Sequence, residues 1–521
     1  MDVDAATTVV PARQRETAKL RPGLVLSVLL PAVAAYAAIF AFALQHTTYD
    51  FWGALIWAPV LVAISVPILL RYASGDPNPR IGPLLVVALI LKLAAALPRW
   101  AMIVYLYERG DAQRYAETAT TLRENFLDFD FSLTPLASQS RTGTQFVEIV
   151  TGIVYTLIGP TFIGGFLFFS WLSFWGLFFF YRAFRVAIPD GDTTRYALLL
   201  FFLPSMLFWP SSIGKEAWMT FVLGLTVYGC ALLLSRRRGA FLFLVLGLAG
   251  ILSVRPHMAL PVIAGLGLAY LLRGRSARRV VALGKTRTLI GLAVIGIGTL
   301  FVIRQVATFF GIDEFNLDTA TETLEEVERR SGQGGSEFVG TGPSLRNLPL
   351  NVVTVLFRPF PFEVHNVQAL LAAFEGVVLL VLFVLSWPRL KTVPKRLFKQ
   401  PYVTFCVTYA ILYCFMFSAV QNFGILARQR VLVFPFVLVL LALPLASSWS
   451  RGWRNTGGGG TGRELPGHSG VEPGHPAGTH PDREAGLKTP SSGTNSLVGP
   501  TTLHEGRQDS AGQRRGISGG H

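Results

Sequence analysis

Five short polar segments hold the residue types from which a reaction could be built. Gly110-Asp111-Ala112-Gln113-Arg114-Tyr115 sets a carboxylate and a guanidinium three positions apart, directly after an apolar run. A carboxylate fixed just beyond a helix end can take a proton from a hydroxyl, or help hold a divalent cation such as Mg or Mn. The segment from Pro204 to Glu216 is a tight hairpin: Pro210 and Gly214 break helices, and Ser211 and Ser212 offer hydroxyls. Lys215 and Glu216 then enter the next apolar run. They either pair with each other or leave the lysine to an anion, which a helix N-terminus also favours.

Three further segments supply donors. Ser253-Val254-Arg255-Pro256-His257 places a guanidinium and an imidazole two residues apart. Both can donate to a phosphate or a sugar, and Arg255 can equally reach lipid headgroups. Arg358-Pro359-Phe360-Pro361-Phe362-Glu363-Val364-His365 is a stiff entry segment into the membrane that gathers Arg358, Glu363 and His365. Its phenylalanines fit an interfacial aromatic belt without any ligand. Arg428-Gln429-Arg430 precedes the last apolar run, and its two arginines suit bidentate contacts to phosphate or carboxylate. Lys92 and Arg304 are weaker candidates of the same kind.

The elements that must position these residues follow from composition. Of 521 residues, 51% are hydrophobic and only 15% charged, too few charges to cover a soluble surface. The apolar residues fall into long blocks, the mark of membrane-spanning helices. An all-α, polytopic bundle of about twelve spans is expected: 23–45, 50–70, 82–106, 161–181, 194–210, 216–234, 239–254, 258–272, 287–304, 366–387, 401–420 and 431–447. The chain then divides into an N-terminal tail (1–22), the helical domain (23–450) and a Gly-, Pro- and Ser-rich tail (451–521) expected to be disordered. The start of the chain has no short apolar core followed by a small-residue cleavage site, so no signal peptide is expected.

The net charge of +15 sits mainly in alternate short loops, among them Arg71 and Arg80, Arg182 and Arg185, Arg236–Arg238, and Arg389 to Lys399. The positive-inside rule makes that side cytoplasmic, with both termini inside, and gives no cause to invoke nucleic acid. Two long loops, 107–160 and 305–365, then face outward. The stretch 145–159 is apolar but short, and is expected to lie on the outer interface as a helix. Were it to span, every later loop would change sides. All five polar segments fall on the outer side, where the rule does not ask for cations. Cys230, Cys406 and Cys414 lie within apolar spans and read as core residues. No residue set reads as a metal site, and no GxxxxGK[ST] or HExxH motif occurs.

Gly110-Asp111 followed by the interfacial stretch 145–159 resembles the multi-spanning bacterial glycosyltransferases of the GT-C superfamily. The phrases FLPSMLFWPSSIGKEAW (202–218) and ARQRVLVFPF (427–436) are also similar to segments of O-antigen and exopolysaccharide polymerase-like membrane proteins. The resemblance covers roughly 20–450. It departs from many members in having Ala112 where a second acid often stands. It implies a location in the bacterial cytoplasmic membrane, a lipid-linked sugar donor and a glycan or lipid acceptor. Asp111 would be the base, with His257 as a further catalytic candidate. Arg114, Lys215, Glu216, Arg255, Arg358, Glu363, His365, Arg428 and Arg430 would bind substrate. In a polymerase acting on a polyprenyl-diphosphate-linked oligosaccharide, the arginines would matter most and His257 or His365 could serve as base. A secondary transporter is the main alternative from another class.

Overall fold

The structure is a computed structural model that describes residues 22–106, 110–134, 142–273, 283–310, 344–364 and 367–445, with isolated positions between these ranges. His365 and the expected tails up to 21 and from 451 lie outside the described residues. Among the described residues the chain is helical and has no strand. In order these are α1 (Pro22–His46), α2 (Tyr49–Ser74), α3 (Ile81–Ala94), α4 (Ala96–Leu106), α5 (Asp111–Leu127), α6 (Thr144–Ile158) and α7 (Phe162–Ala187). There follow α8 (Thr193–Phe202), α9 (Pro204–Phe208), α10 (Lys215–Leu234), α11 (Ala240–Val254), α12 (Ala259–Arg273) and α13 (Leu283–Phe310). The last are α14 (Leu348–Phe357), α15 (Val367–Leu385), α16 (Trp387–Leu390), α17 (Val393–Leu397), α18 (Pro401–Phe417), α19 (Phe423–Gln429) and α20 (Phe434–Leu441).

Five helices among the described residues are long and apolar enough to cross a membrane, and up to seven if each of two bent pairs forms one span. The bent pairs are α15 with α16–α17, and α19 with α20; each turns by 61°. Pro388 and Pro435 sit just after these breaks, where a missing N–H and a fixed φ favour a new helix start. Several other expected spans are apolar helices of 10–17 residues. The expected span 194–210 is not one helix. Leu203 is extended (φ −64°, ψ 128°), as a residue before proline prefers, and separates α8 from α9. Lys92 answers the polar groups exposed there: its Nζ donates to the carbonyls of Met206 (2.7 Å) and Leu207 (3.0 Å). The buried lysine therefore supports a helix break, which accounts for its place in an apolar span.

The core is built around α7 and α10, which pack side by side. Glycines let the two backbones meet: a Cβ on Gly224 would lie 2.1 Å from the Gly176 carbonyl oxygen, and one on Gly176 would lie 2.3 Å from that of Thr220. Close approach at small residues is a main source of helix association in a bilayer. Gly224→Val should force the pair apart and cost about 1–3 kcal/mol, the usual penalty of overpacking. A lowered midpoint for thermal unfolding in detergent would show it, and an unchanged midpoint would refute the close contact.

The expected helix at 145–159 is α6, and α5 packs along it as the other arm of a hairpin. Gly152 lets Leu122 approach, and Arg123 Nε donates to the Tyr155 carbonyl at 3.1 Å. Both ends of α6 are tied to other helices: the Gly143 N–H donates to Ser253 O (2.8 Å), and Trp57 Nε1 to Ile158 O (3.2 Å). This arrangement sets Asp111, the first residue of α5, beside the start of α10.

Candidate functional site

Asp111, Lys215, Glu216, Arg255 and Arg428 line one cavity of about 390 Å³. They come from four places: the start of α5, the start of α10, the end of α11 and the end of α19. The cavity is finished by Arg99 and Ile103 of α4, by Trp209, Ser212 and Ile213 of the hairpin, and by Asn422 and Ile425 at the start of α19.

Glu216 is the hub of its polar wall. Its Oε1 lies 3.0 Å from Arg255 Nη2 and 3.2 Å from Arg428 Nε. Arg255 Nη1 donates to Gln429 Oε1, and Gln429 Nε2 donates to Glu216 at 3.4 Å. The Gln429 carbonyl in turn accepts from the Tyr413 hydroxyl at 2.7 Å. One carboxylate therefore ties α10, α11 and α19 together and orients two guanidiniums. The alternative that Lys215 and Glu216 pair with each other is not met. Among the described residues, no ion pair or hydrogen bond holds Lys215 Nζ. Lys215 opens the 20-residue helix α10, whose first N–H groups carry the positive end of the helix dipole.

Asp111 has a different setting. Its side chain is 59% exposed and lies 3.9 Å from Arg114. Arg114 also stands 3.9 Å from Glu148 of α6, so it bridges two acids and is not itself part of the cavity lining. Burial raises the Glu148 carboxyl above its ordinary value, against the pull of Arg114 and Lys215. Tyr115, one turn beyond Asp111, lines the cavity as well. Burial, then the charges of Asp111 and Glu216, push its hydroxyl up to about 12, so it remains a proton-bearing donor at neutral pH.

The other expected site residues lie elsewhere. His257 is in the short turn Pro256–Met258, with its ring 6.3 Å from that of Phe309, and does not line the cavity. Arg358 pairs with Glu363, and its guanidinium lies 4.4 Å over the Phe338 ring and 5.4 Å over Phe423. That pair braces the entry segment: Glu363 also accepts from the Phe360 N–H at 2.8 Å. Arg430 is fully buried, 3.1 Å from Glu375, and donates to the carbonyls of Arg358 (3.0 Å) and Ala372 (3.1 Å). Its donors are committed within the core, and of the two arginines only Arg428 lines the cavity. Arg304 is exposed on α13 and is not part of the cavity.

Arg99 escaped the sequence reading. It is buried, with its guanidinium 4.9 Å from the Trp209 ring and 5.2 Å from Phe208. The signal was present: a cation within an apolar run, where charge is costly. Tyr115, Asn422 and Gln429 carried no such signal, being ordinary polar residues at helix ends.

No protein-family model, curated protein or solved structure matches the chain.

Proposed function

We propose that the chain is a membrane glycosyltransferase that takes a polyprenyl-phosphate-linked sugar at the outer face of a bacterial cytoplasmic membrane. One observation carries the reading: an exposed carboxylate and four cations from separate parts of the chain surround one cavity. The basic loops Arg71 to Arg80, Arg236–Arg238 and Arg389 to Lys399 belong to the opposite helix ends, which supports an outward-facing cavity. The reading keeps about twelve crossings by counting the shorter apolar helices, with both termini inside.

The chemistry follows from the geometry. Lys215 and the start of α10 receive the donor phosphate, and Arg255 and Arg428, oriented by Glu216, stabilise it as it leaves. The acceptor hydroxyl oxygen attacks the anomeric carbon. The bond from that carbon to the phosphate oxygen breaks, and its electron pair leaves with the phosphate. Asp111 takes the hydroxyl proton. Glu216 is engaged by two guanidiniums and is not the base.

A divalent ion does not fit this donor set. Among the described residues no three His, Cys, Asp or Glu gather, and the cavity's two acids face four cations, one acid being paired already. No step runs through Mg or Mn.

The first test compares lipid-linked and surface glycans in cells with and without the gene. Accumulation of a polyprenyl-linked single sugar supports transfer. A trapped oligosaccharide supports the polymerase version, and unchanged glycans defeat both. In membranes, Lys215→Gln should lower kcat/KM for the donor by roughly 10- to 100-fold, the worth of a charge-assisted hydrogen bond. An unaltered kcat/KM would remove Lys215 from the phosphate.

A second reading has the two bent helix pairs in its favour, since broken helices mark the sites of many secondary transporters. Uptake of an organic anion by proteoliposomes lacking lipid-linked sugar would support it.

A further inference from the structure

At the helix ends opposite the cavity, α16 and α17 leave α15 at 61° and run across its axis. Their two faces differ in kind. The inward face is fastened by arginines. Arg389 donates to Leu443 O (2.6 Å) and to Asp192 Oδ2 (3.0 Å). Arg396, fully buried, donates to Pro444 O (3.2 Å) and Thr392 Oγ1 (3.0 Å) and lies 3.7 Å from Asp190. Arg195 of α8 fixes the break itself, donating to Ser386 Oγ at 2.6 Å. These bonds hold the segment in one orientation.

The outward face carries Trp387, Lys391, Lys395, Phe398 and Lys399, at helical spacing and all exposed. Trp387 is 57% and Phe398 67% exposed, and Lys391 Nζ lies 5.7 Å from the Trp387 ring. This face continues the exposed apolar side of α15, where Val384 and Leu385 are 66% and 69% exposed. Two large rings at the end of an apolar helix, flanked by three lysines, match the chemistry of an interface whose upper layer is anionic. Rings settle at the headgroup boundary, and lysine stems reach from it to phosphates.

We propose that this face is a binding site for anionic phospholipid headgroups, with Lys391, Lys395 and Lys399 as the ligands and Trp387 and Phe398 as the wedge. The site rests on the membrane-spanning character of the chain and is independent of what the cavity does. It fixes the depth of α15, and through it Ala372 and Glu375, which hold Arg430 at the far end.

The test uses the full chain in nanodiscs made from equimolar phosphatidylglycerol and phosphatidylcholine, with the lipids that stay bound after extraction counted by native mass spectrometry. The wild-type protein should retain phosphatidylglycerol preferentially, and less so at high salt. K391Q/K395Q/K399Q should lose that preference by roughly five-fold for each lysine removed. K391R/K395R/K399R should keep it. As a control for charge alone, R236Q/R237Q/R238Q removes three cations from another loop and should retain the larger part. An undiminished preference in the glutamine variant, or an equal loss in the Arg236–Arg238 control, would overturn the site.

Discussion

Asp111→Asn should slow the proposed sugar transfer by at least 100-fold while leaving the protein folded and in the membrane. General-base catalysis by one positioned group contributes on the order of 10²–10⁴, and an amide of the same shape cannot accept the proton. The fold has little at stake in this carboxylate. It is 59% exposed, and its nearest cation, Arg114, is 3.9 Å away and equally near Glu148. Its contribution to α5 is that of an acid in a first helical turn, about 0.3–1 kcal/mol. Tyr115 cannot take over as base, because its hydroxyl, pushed up to about 12, keeps its proton at neutral pH. The measurement is the rate of transfer from a polyprenyl-phosphate sugar in membranes, alongside the amount of embedded protein. A variant that transfers at the wild-type rate would remove Asp111 as base and shift the argument to the arginines, as in the polymerase version.

The sequence made part of this site legible for a physical reason. Asp111, Lys215, Glu216, Arg255 and Arg428 are charged groups beside apolar runs, where charge is costly and tends to be kept for a purpose. The same reasoning could not separate Arg428 from Arg430. At about 100° per residue, positions two apart on a helical turn face nearly opposite directions. Arg428 turns to Glu216 in the cavity, and Arg430 turns to Glu375 in the core. Which of the two faces the cavity depends on the helix's rotation, and a sequence does not show that. Nor does hydropathy find the interruption at Leu203, inside the expected span 194–210, since an average over many residues runs across a break. Pro204 is the available cue at Leu203, but the sequence points to Pro210 and Gly214 as the helix breakers and leaves 194–210 as one span. Arg99 carries the same signal, a charge within an apolar run, but no neighbouring motif draws it to a site.

The largest stability effect should come from the pair that the cavity does not use. Arg430 and Glu375 are 0% and 3% exposed, and their side chains meet at 3.1 Å. Glu375 also receives the Ser205 N–H at 2.7 Å and the Ser205 hydroxyl, at the start of α9. The pair therefore joins three helix breaks: at Leu203, at the entry segment through the Arg358 carbonyl, and ahead of α20. Glu375→Leu leaves a guanidinium in the core without its counter-charge and frees the Ser205 N–H. Removing one partner of a buried pair costs about 3–5 kcal/mol. The free, buried thiols of Cys230, Cys406 and Cys414 give a direct readout, because a thiol-reactive dye reports their exposure as detergent-solubilised protein is heated. The Glu375→Leu variant should expose them at a clearly lower temperature than wild type. Glu375→Leu combined with Arg430→Met should recover only part of the loss, since the carbonyls of Arg358 and Ala372 would remain without their donor. Full recovery would mean that those carbonyls find other partners and that the pair is dispensable. No loss in the single variant would mean that Arg430 is not committed to the core, which would return it to the cavity beside Arg428.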